Sequence, residues 1–556
     1  MLSACTQSAC PFLIFQLGPY QCLVRDISNE ARFFMPPKLR RRFPWGGARR
    51  AKNGMSAEGR RHIAICLCAL VGVALEGRAD MPKLRWVDDD KARNAVSNVV
   101  MKILREDKSL SYGDPNSGNI LVHGDNLEAL KALLPFYAGR VKCIFIDPPY
   151  NTGSAFEHYD DNLEQSIWLS LMYPRLKLLR EFLTEDGSIY VCIDFNQTHH
   201  LRDLMDEIFG TKCFQREIIW RIGWLSGFKT AANNYIRNHD TLLYYTKNSS
   251  GFYFNKEVAY NQPDDYLERF NGAAKKEIEE RLINEGLSKA KAKELFDFLS
   301  KVGLPERYPL EDTWNCSSYD KLNSIAVVSF SGEKVSKMLG TAEFKGQKAE
   351  ALIRRVLRIS TKPGDIVMDS FLGTGSTAAV AQKMGRRWIG IEIGNQAYEM
   401  AAPRLRKVIN GEDNSGVTPI EKWQGGGGFK FYELGEPLLD ENGAISEGID
   451  FDMLAAHIWW RETGSAWDVA TRNGTFLGVH SGVAYAMLYN GVLHDRSYAG
   501  GNVLTPKTMR IIREDIGEAK YSRLVVYGEC TKLGAAKLRE ENVEFRQTPY
   551  DIVTRR

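Results

Sequence analysis

Asp147-Pro148-Pro149-Tyr150 closes the apolar run Val141 to Ile146, and these four residue types at this spacing suggest chemistry. Asp147 offers two acceptor oxygens, Pro148 a carbonyl, and Tyr150 a flat face with a polar tip. Two acceptors beside an aromatic plane suit an exocyclic amino group on a flat heterocycle, with the ring stacked on Tyr150 and the NH2 held by Asp147 and the Pro148 carbonyl. A base that reaches such a pocket must first leave its duplex. The tetrapeptide alone fits a strand-end turn with a surface tyrosine equally well, so a second motif has to decide.

That second motif runs from Ile366 through Asp369-Ser370-Phe371-Leu372-Gly373-Thr374-Gly375 to Thr377, and then to Trp388-Ile389-Gly390-Ile391-Glu392. It reads as strand, glycine turn, helix, strand, acid. Gly373 and Gly375 let a ligand approach the backbone, and the following helix points N–H groups at it. Glu392 closes the next strand about twenty residues on, where a carboxylate can take both hydroxyls of a ribose. The spacing is that of a nucleoside cofactor site. Ala378 stands where a dinucleotide fingerprint has its third glycine, a substitution its looser form allows, so the loop alone does not exclude NAD. The acidic proline corner has no use in hydride transfer.

Together the two blocks resemble the amino-group DNA methyltransferases, whose catalytic block is (Asp, Asn or Ser)-Pro-Pro-(Tyr, Phe or Trp) and whose cofactor block is Phe-x-Gly-x-Gly. Here the catalytic block comes first, the order of the family's beta class, and Asp147 is similar to the adenine-N6 members. The longer string Ile146 to Gly153 resembles the modification subunits of type III restriction-modification systems. The resemblance implies an α/β fold, a doubly wound mixed sheet of the class I S-adenosylmethionine-dependent type. It implies Asp147, Pro148, Pro149 and Tyr150 as catalytic residues, and Asp369, Phe371, Gly373, Gly375 and Glu392 as contacts of S-adenosylmethionine. Gly124-Asp125 matches the family's contact to the cofactor adenine, although Asp125 would equally cap the following helix. Phe344-Lys345-Gly346-Gln347-Lys348 matches a block that holds the cofactor's methionine end, so Lys348 is a further candidate, with Ala349 where the family has proline.

Stepping outward, these motifs need a sheet to bring them together. Val141–Ile146 reads as a strand buried on both faces, and a chain leaving it at Asp-Pro-Pro-Tyr cannot start a helix at once. Asp88 to Arg105 has helical periodicity, Asn119 to Asp125 is a short strand, Gln165 to Leu183 a long helix, and Ser188 to Asp194 the next strand. Between Phe214 and Asn255, Arg216, Arg221, Lys229, Arg237 and Lys247 interleave with Trp220, Trp224, Phe228, Tyr235 and Tyr244. Cations beside aromatics suit nucleic-acid contact, and Thr241 to Tyr245 also reads as ordinary strand. Ala273 to Lys301 is a charged helical hairpin. His199 and His200 are adjacent and cannot share a helix face, which argues against a metal site.

The expected domains are therefore a methyltransferase domain over 81–214 and 341–435, a target-recognition domain over 215–340, and a C-terminal domain over 436–556 for dimerisation or partner docking. Residues 1–80 are read as an atypical extension that precedes a native start at Met81. They hold twelve Lys and Arg against five Asp and Glu, a surplus of +7, so within a net charge of +4 the remainder carries −3. DNA contact must then come from local basic patches. The apolar run Ile63 to Leu75 is too short to span a bilayer, and the scattered cysteines suit a reduced cytoplasm. The expected substrate is duplex DNA with a flipped target base; the expected partners are a second copy of the chain and a helicase-nuclease restriction subunit, with no membrane and no metal. The alternatives are a stand-alone cytosine-N4 or adenine methyltransferase and a non-catalytic DNA-specificity module.

Overall fold

The computed structural model describes residues 83–151, 164–221, 233–235, 237–256, 272–301, 310–314, 325, 333–342, 344, 346–439, 445–446, 448–491, 496–497 and 499–548, together with three strands near the amino terminus. Those strands, Phe12–Leu17, Tyr20–Arg25 and Arg32–Phe33, form an antiparallel sheet within a unit spanning Met1–Pro82. The basic cluster Lys38 to Arg42 and the run Ile63 to Leu75 lie outside the described residues, as do Trp224, Phe228 and Lys229. The second unit, Lys83–Arg556, holds every motif named above.

Its centre is a ten-stranded sheet. In chain order the strands are β1 (Lys102–Gly113), β2 (Ile120–His123), β3 (Val141–Ile146), β4 (Leu183–Ile193), β5 (Phe214–Arg221), β6 (His239–Thr246), β7 (Thr313–Trp314), β8 (Ile366–Asp369), β9 (Arg387–Glu392) and β10 (Gly428–Pro437). They lie in the order β7-β5-β6-β4-β3-β8-β9-β2-β10-β1. The stretch from β4 to β10 is parallel, and β6 and β1 run antiparallel to their inner neighbours. The expected doubly wound mixed α/β sheet is thus present.

Burial on both faces explains why β3 reads as an unbroken apolar run. Cys143 and Phe145 face one core, shared with the helices Glu350–Ser360, Ser376–Lys383 and Ala402–Ile409. Ile144 and Ile146 face the other, shared with Asn126–Tyr137, Gln165–Phe182 and Thr198–Phe209. From β3 the chain crosses through Gln165–Phe182 to β4 on one side; from β8 it crosses through Ser376–Lys383 to β9 on the opposite side. Strands β3 and β8 adjoin, pairing Cys143 with Val367 and Ile144 with Met368, so the winding reverses between them. The crevice at such a reversal is where open sheets take ligands.

Two expectations change. The helix expected over Asp88 to Arg105 ends at Asn98, and Lys102–Gly113 is instead the long edge strand β1. Its mixed Lys-Glu-Asp-Ser pattern suits an edge with one solvated side and hides it from periodicity. The boundary expected at 215 also moves, because β5, β6 and β7 belong to the central sheet. Leu242, Leu243, Tyr244 and Tyr245 are buried on alternate faces there, and burial outweighs the cationic texture of the segment. The charged hairpin is present as Gly272–Asn284 and Lys289–Lys301, with Ala292 and Phe296 buried.

Beyond β10, the chain builds a separate four-stranded sheet of Phe476–His480, Val483–Met487, Arg523–Gly528 and Val543–Gln547. The helix Phe451–Thr463 packs between it and Asn126–Tyr137, in a core that also takes in Met101, Ile103 and Phe136. Among the described residues, no helix is long and apolar enough to cross a membrane, and no cluster of His, Cys, Asp and Glu is arranged to hold a metal ion.

Candidate active site

The carboxyl end of β3 and the turn after β8 line one cavity. Its wall includes Asp147, Pro148, Pro149 and Tyr150 from the first, and Asp369, Phe371, Gly373, Thr374 and Thr377 from the second. Phe344, Gly346, Gln347 and Lys348 close it from a third segment. Residues 222 positions apart, Asp147 and Asp369, therefore meet because the parallel register of β3 and β8 leaves no alternative.

The proline corner is held rigidly. Trp168, fully buried on the crossover helix, donates its indole N–H to the Pro149 carbonyl at 2.8 Å, so the Pro149 oxygen is occupied. The Tyr150 hydroxyl lies 3.2 Å from Cys192 Sγ on β4. Burial pushes the Tyr150 phenol well above its ordinary value, so it stays protonated. Asp147 makes an ion pair through Oδ2 with Lys348 Nζ at 2.6 Å, while its Oδ1 is buried without a partner. Burial raises the Asp147 carboxyl and the ammonium of Lys348 opposes that rise. An unpaired buried carboxylate oxygen on a cavity wall is costly unless a ligand donor reaches it.

The glycine turn is clamped from behind. Asp369 accepts the Phe371 N–H at 2.9 Å and the Thr377 hydroxyl at 2.6 Å, which ties the turn to the start of helix Ser376–Lys383. Burial pushes its carboxyl up to about 7. Gly373 and Gly375 have φ of 54° and 81°, the left-handed region that suits glycine. Glu392 accepts the Gly373 N–H at 2.7 Å and the Gly394 N–H at 2.8 Å.

Three predicted residues, Gly375, Glu392 and Asp125, are not on the cavity wall, and Gly375 stands against Ala401 instead. Glu392 sits behind the turn with its carboxylate fixing Gly373, and reaches a ligand only through its remaining lone pairs. Asp125 caps helix Asn126–Tyr137 by accepting the Leu127 N–H at 2.8 Å, and both its oxygens pair with Arg175 at 3.1 and 2.9 Å. Next to it, Asn126 donates to the Ser370 carbonyl at 2.7 Å, so this helix start is laced to the glycine turn.

Ala349, where the family has proline, has φ −66° and ψ 133°. This is the φ a proline ring would impose, so the backbone keeps that geometry without the ring. On its other side Gln347 is pinned, accepting the Val335 N–H at 3.0 Å and donating to the Glu333 carbonyl at 2.7 Å.

Sequence reasoning missed Trp168 and the buried ionic network under the turn. Glu350 accepts from Lys383 at 2.8 Å and from Arg404 at 2.7 Å, and Lys383 also pairs with Asp413 at 2.6 Å, all four side chains being fully buried. Arg404 then donates to Ser376 Oγ at 2.8 Å, at the first residue of the turn's helix. In the sequence these charges resemble the polar faces of amphipathic helices, and no local signal sets them apart.

Residues 141–403 match the DNA methylase family of N6 and N4 enzymes. The chain is 30% identical over 429 residues to the "Probable type III restriction-modification enzyme HindVI Mod subunit" of Haemophilus influenzae, covering 59% of this chain and 55% of that one. It is 28% identical over 261 residues to the type III restriction-modification enzyme EcoP15I Mod subunit of Escherichia coli, covering 40% of each. With the type II methyltransferase M.EcaI of Enterobacter cloacae it shares 30% identity over 319 residues, covering 49% of this chain and 66% of that one. The chain thus spans about half the length of the first of these relatives. Residues 141–403, which carry both motifs and the cavity they share, match the DNA methylase family model, and the chain resembles the modification subunits of type III restriction-modification enzymes.

Proposed function

We propose that this protein transfers a methyl group from S-adenosylmethionine to the N6 amino group of adenine at specific sites in duplex DNA, as the modification subunit of a type III restriction-modification system. One observation carries the reading: the buried, unpartnered Asp147 Oδ1 shares a cavity wall with a glycine turn at the reversal of the sheet. The residues fit the cofactor, since Gly373 brings bare backbone to the cavity wall beside Thr374 and Thr377, and the buried Asp147 Oδ1 on the same wall lacks a partner. Asp125, Asp369, Phe371, Gly373, Gly375 and Glu392 would hold it, the Lys348 ammonium being taken by Asp147.

When bound, S-adenosylmethionine supplies an electrophilic methyl group on a sulfonium sulfur, which departs with the bonding pair as a neutral thioether. The adenine nitrogen is a poor nucleophile because its lone pair is delocalised into the ring. Hydrogen bonds from the amino N–H groups to Asp147 and to the Pro148 carbonyl favour a tetrahedral nitrogen and free that pair. Tyr150 holds the extruded base by stacking. As the N–C bond forms, the nitrogen becomes positive, and Asp147 Oδ1 receives the proton it sheds. Orientation and electrostatics supply the rate, with no covalent enzyme intermediate.

In this reading the target-recognition domain is what lies between β5 and residue 340 outside the central strands β6 and β7, the charged hairpin included. The C-terminal sheet serves dimerisation or docking of a restriction subunit, in the cytoplasm. A stand-alone methyltransferase without a nuclease partner is the second reading, favoured by the match to M.EcaI, named a type II methyltransferase. The test is to incubate the protein with labelled cofactor and DNA and to sequence the product with base resolution. Methyl groups on N6 of adenine in one sequence context support the proposal; methyl groups on cytosine, or none on DNA, contradict it.

A further inference from the structure

Lys348 is usually sought among the cofactor contacts, and its ammonium is engaged elsewhere. It lies 2.6 Å from Asp147 Oδ2 and 5.0 Å from the centre of the Tyr150 ring, with the side chains of Lys348 and Asp147 only 12% and 19% exposed. Its backbone is fixed on both sides, by the pinned Gln347 side chain and by the fully buried Ala349 that begins helix Glu350–Ser360. A lysine on so rigid a mount reaches one place. Burial, Asp240 on β6 and Asp369 on β8 disfavour the charge of Asp147, while the Tyr150 hydroxyl on its own corner favours it as Lys348 does, and the Cys192 thiol on β4 stays neutral.

We infer that Lys348 is a positioning residue for the methyl transfer proposed above: its ammonium grips Asp147 Oδ2, keeps the carboxylate charged, and leaves Oδ1 as the oxygen that meets the substrate amino group. The inference rests on that functional reading. An unpaired carboxylate in this surrounding would be driven toward its neutral form, whose O–H would compete with the amino group instead of accepting from it. Lys348 prevents that by supplying the opposing charge within contact distance. Its ammonium over the Tyr150 ring, 5.0 Å from the centre, also lets it restrain the ring on which the base stacks.

The experiment compares full-length wild type, Lys348→Met and Lys348→Arg. Three quantities are read: the single-turnover rate of methyl transfer across pH, the dissociation constant of S-adenosylmethionine, and the thermal midpoint. In Lys348→Met the rate at neutral pH is expected to fall by about tenfold or more, and the acid limb of the rate profile to move up by roughly a pH unit, since the lost cation raises the Asp147 carboxyl. Cofactor affinity stays within about threefold, and Lys348→Arg returns the limb toward its wild-type position. A limb that does not move, with cofactor affinity lost, makes Lys348 a cofactor ligand and overturns the inference while the functional reading stands. A wild-type chain that methylates no DNA removes the functional reading itself, and this inference with it.

Discussion

Asp147 is one side chain with two oxygens in different situations, and the division of labour between them is the residue-scale content of this structure. Oδ2 is held by Lys348 and Oδ1 waits on the cavity wall. Tyr150 beside it offers a face for stacking and a hydroxyl already engaged with Cys192. Replacing Tyr150 with Ala removes the stacking surface, and the affinity for DNA carrying the target base is expected to fall by about 1–3 kcal/mol, measured by fluorescence of a base analogue at the target position. Tyr150→Phe keeps the face and is expected to cost under about 1 kcal/mol. At this scale the sequence was informative: the four residues of the corner and Gly373 belong to local motifs, and all five line one cavity. Glu392 and Asp125 were less legible, because a sequence shows which acids follow a strand but not whether backbone N–H groups and Arg175 have already taken their oxygens.

At the scale of elements, the helix Ser376–Lys383 and the turn before it are seated on charges that no periodicity reveals. Glu350, Lys383, Arg404 and Asp413 come from four separate stretches and are fully buried together. Breaking a buried pair by removing one partner costs about 3–5 kcal/mol, because the other charge is left stranded. Glu350→Gln strands Arg404 and half of Lys383, so unfolding in urea is expected to show a loss of that size, with cofactor affinity weakened in parallel through Ser376. Unchanged stability would mean that the network is ornamental to the turn. Parallel strands and their crossover helices were legible because they are continuous apolar runs, as in β3 and β8. Strand β1 was not, since its register is set by pairing with β10, which lies over three hundred residues away, and an edge strand needs no apolar face of its own.

At the scale of the whole molecule, the chain joins the methylase sheet to a C-terminal sheet through helix Phe451–Thr463, whose His457 is buried with both ring nitrogens unpartnered. Burial pushes that imidazole down to about 3 from an ordinary value near 6.5. A histidine whose folded value is depressed leaves stability intact above about pH 6.5 and withdraws it as pH falls toward the folded value. From pH 7 to pH 5 the loss is about 2 kcal/mol, and His457→Leu is expected to flatten this dependence in urea titrations at the two pH values. An equally steep fall in the variant would place the acid sensitivity elsewhere. The C-terminal sheet itself carries no motif, so the sequence marks a domain there and not its use. The account as a whole depends on the corner of β3 and the turn after β8 acting as one site on a DNA base. The most direct measurement is transfer of labelled methyl from S-adenosylmethionine to DNA by wild type and Asp147→Ala, each paired with cofactor binding. The account predicts N6-methyladenine from the wild type, a loss of about a thousandfold or more in Asp147→Ala, and cofactor affinity in that variant within about threefold. Methylation retained by Asp147→Ala would contradict it.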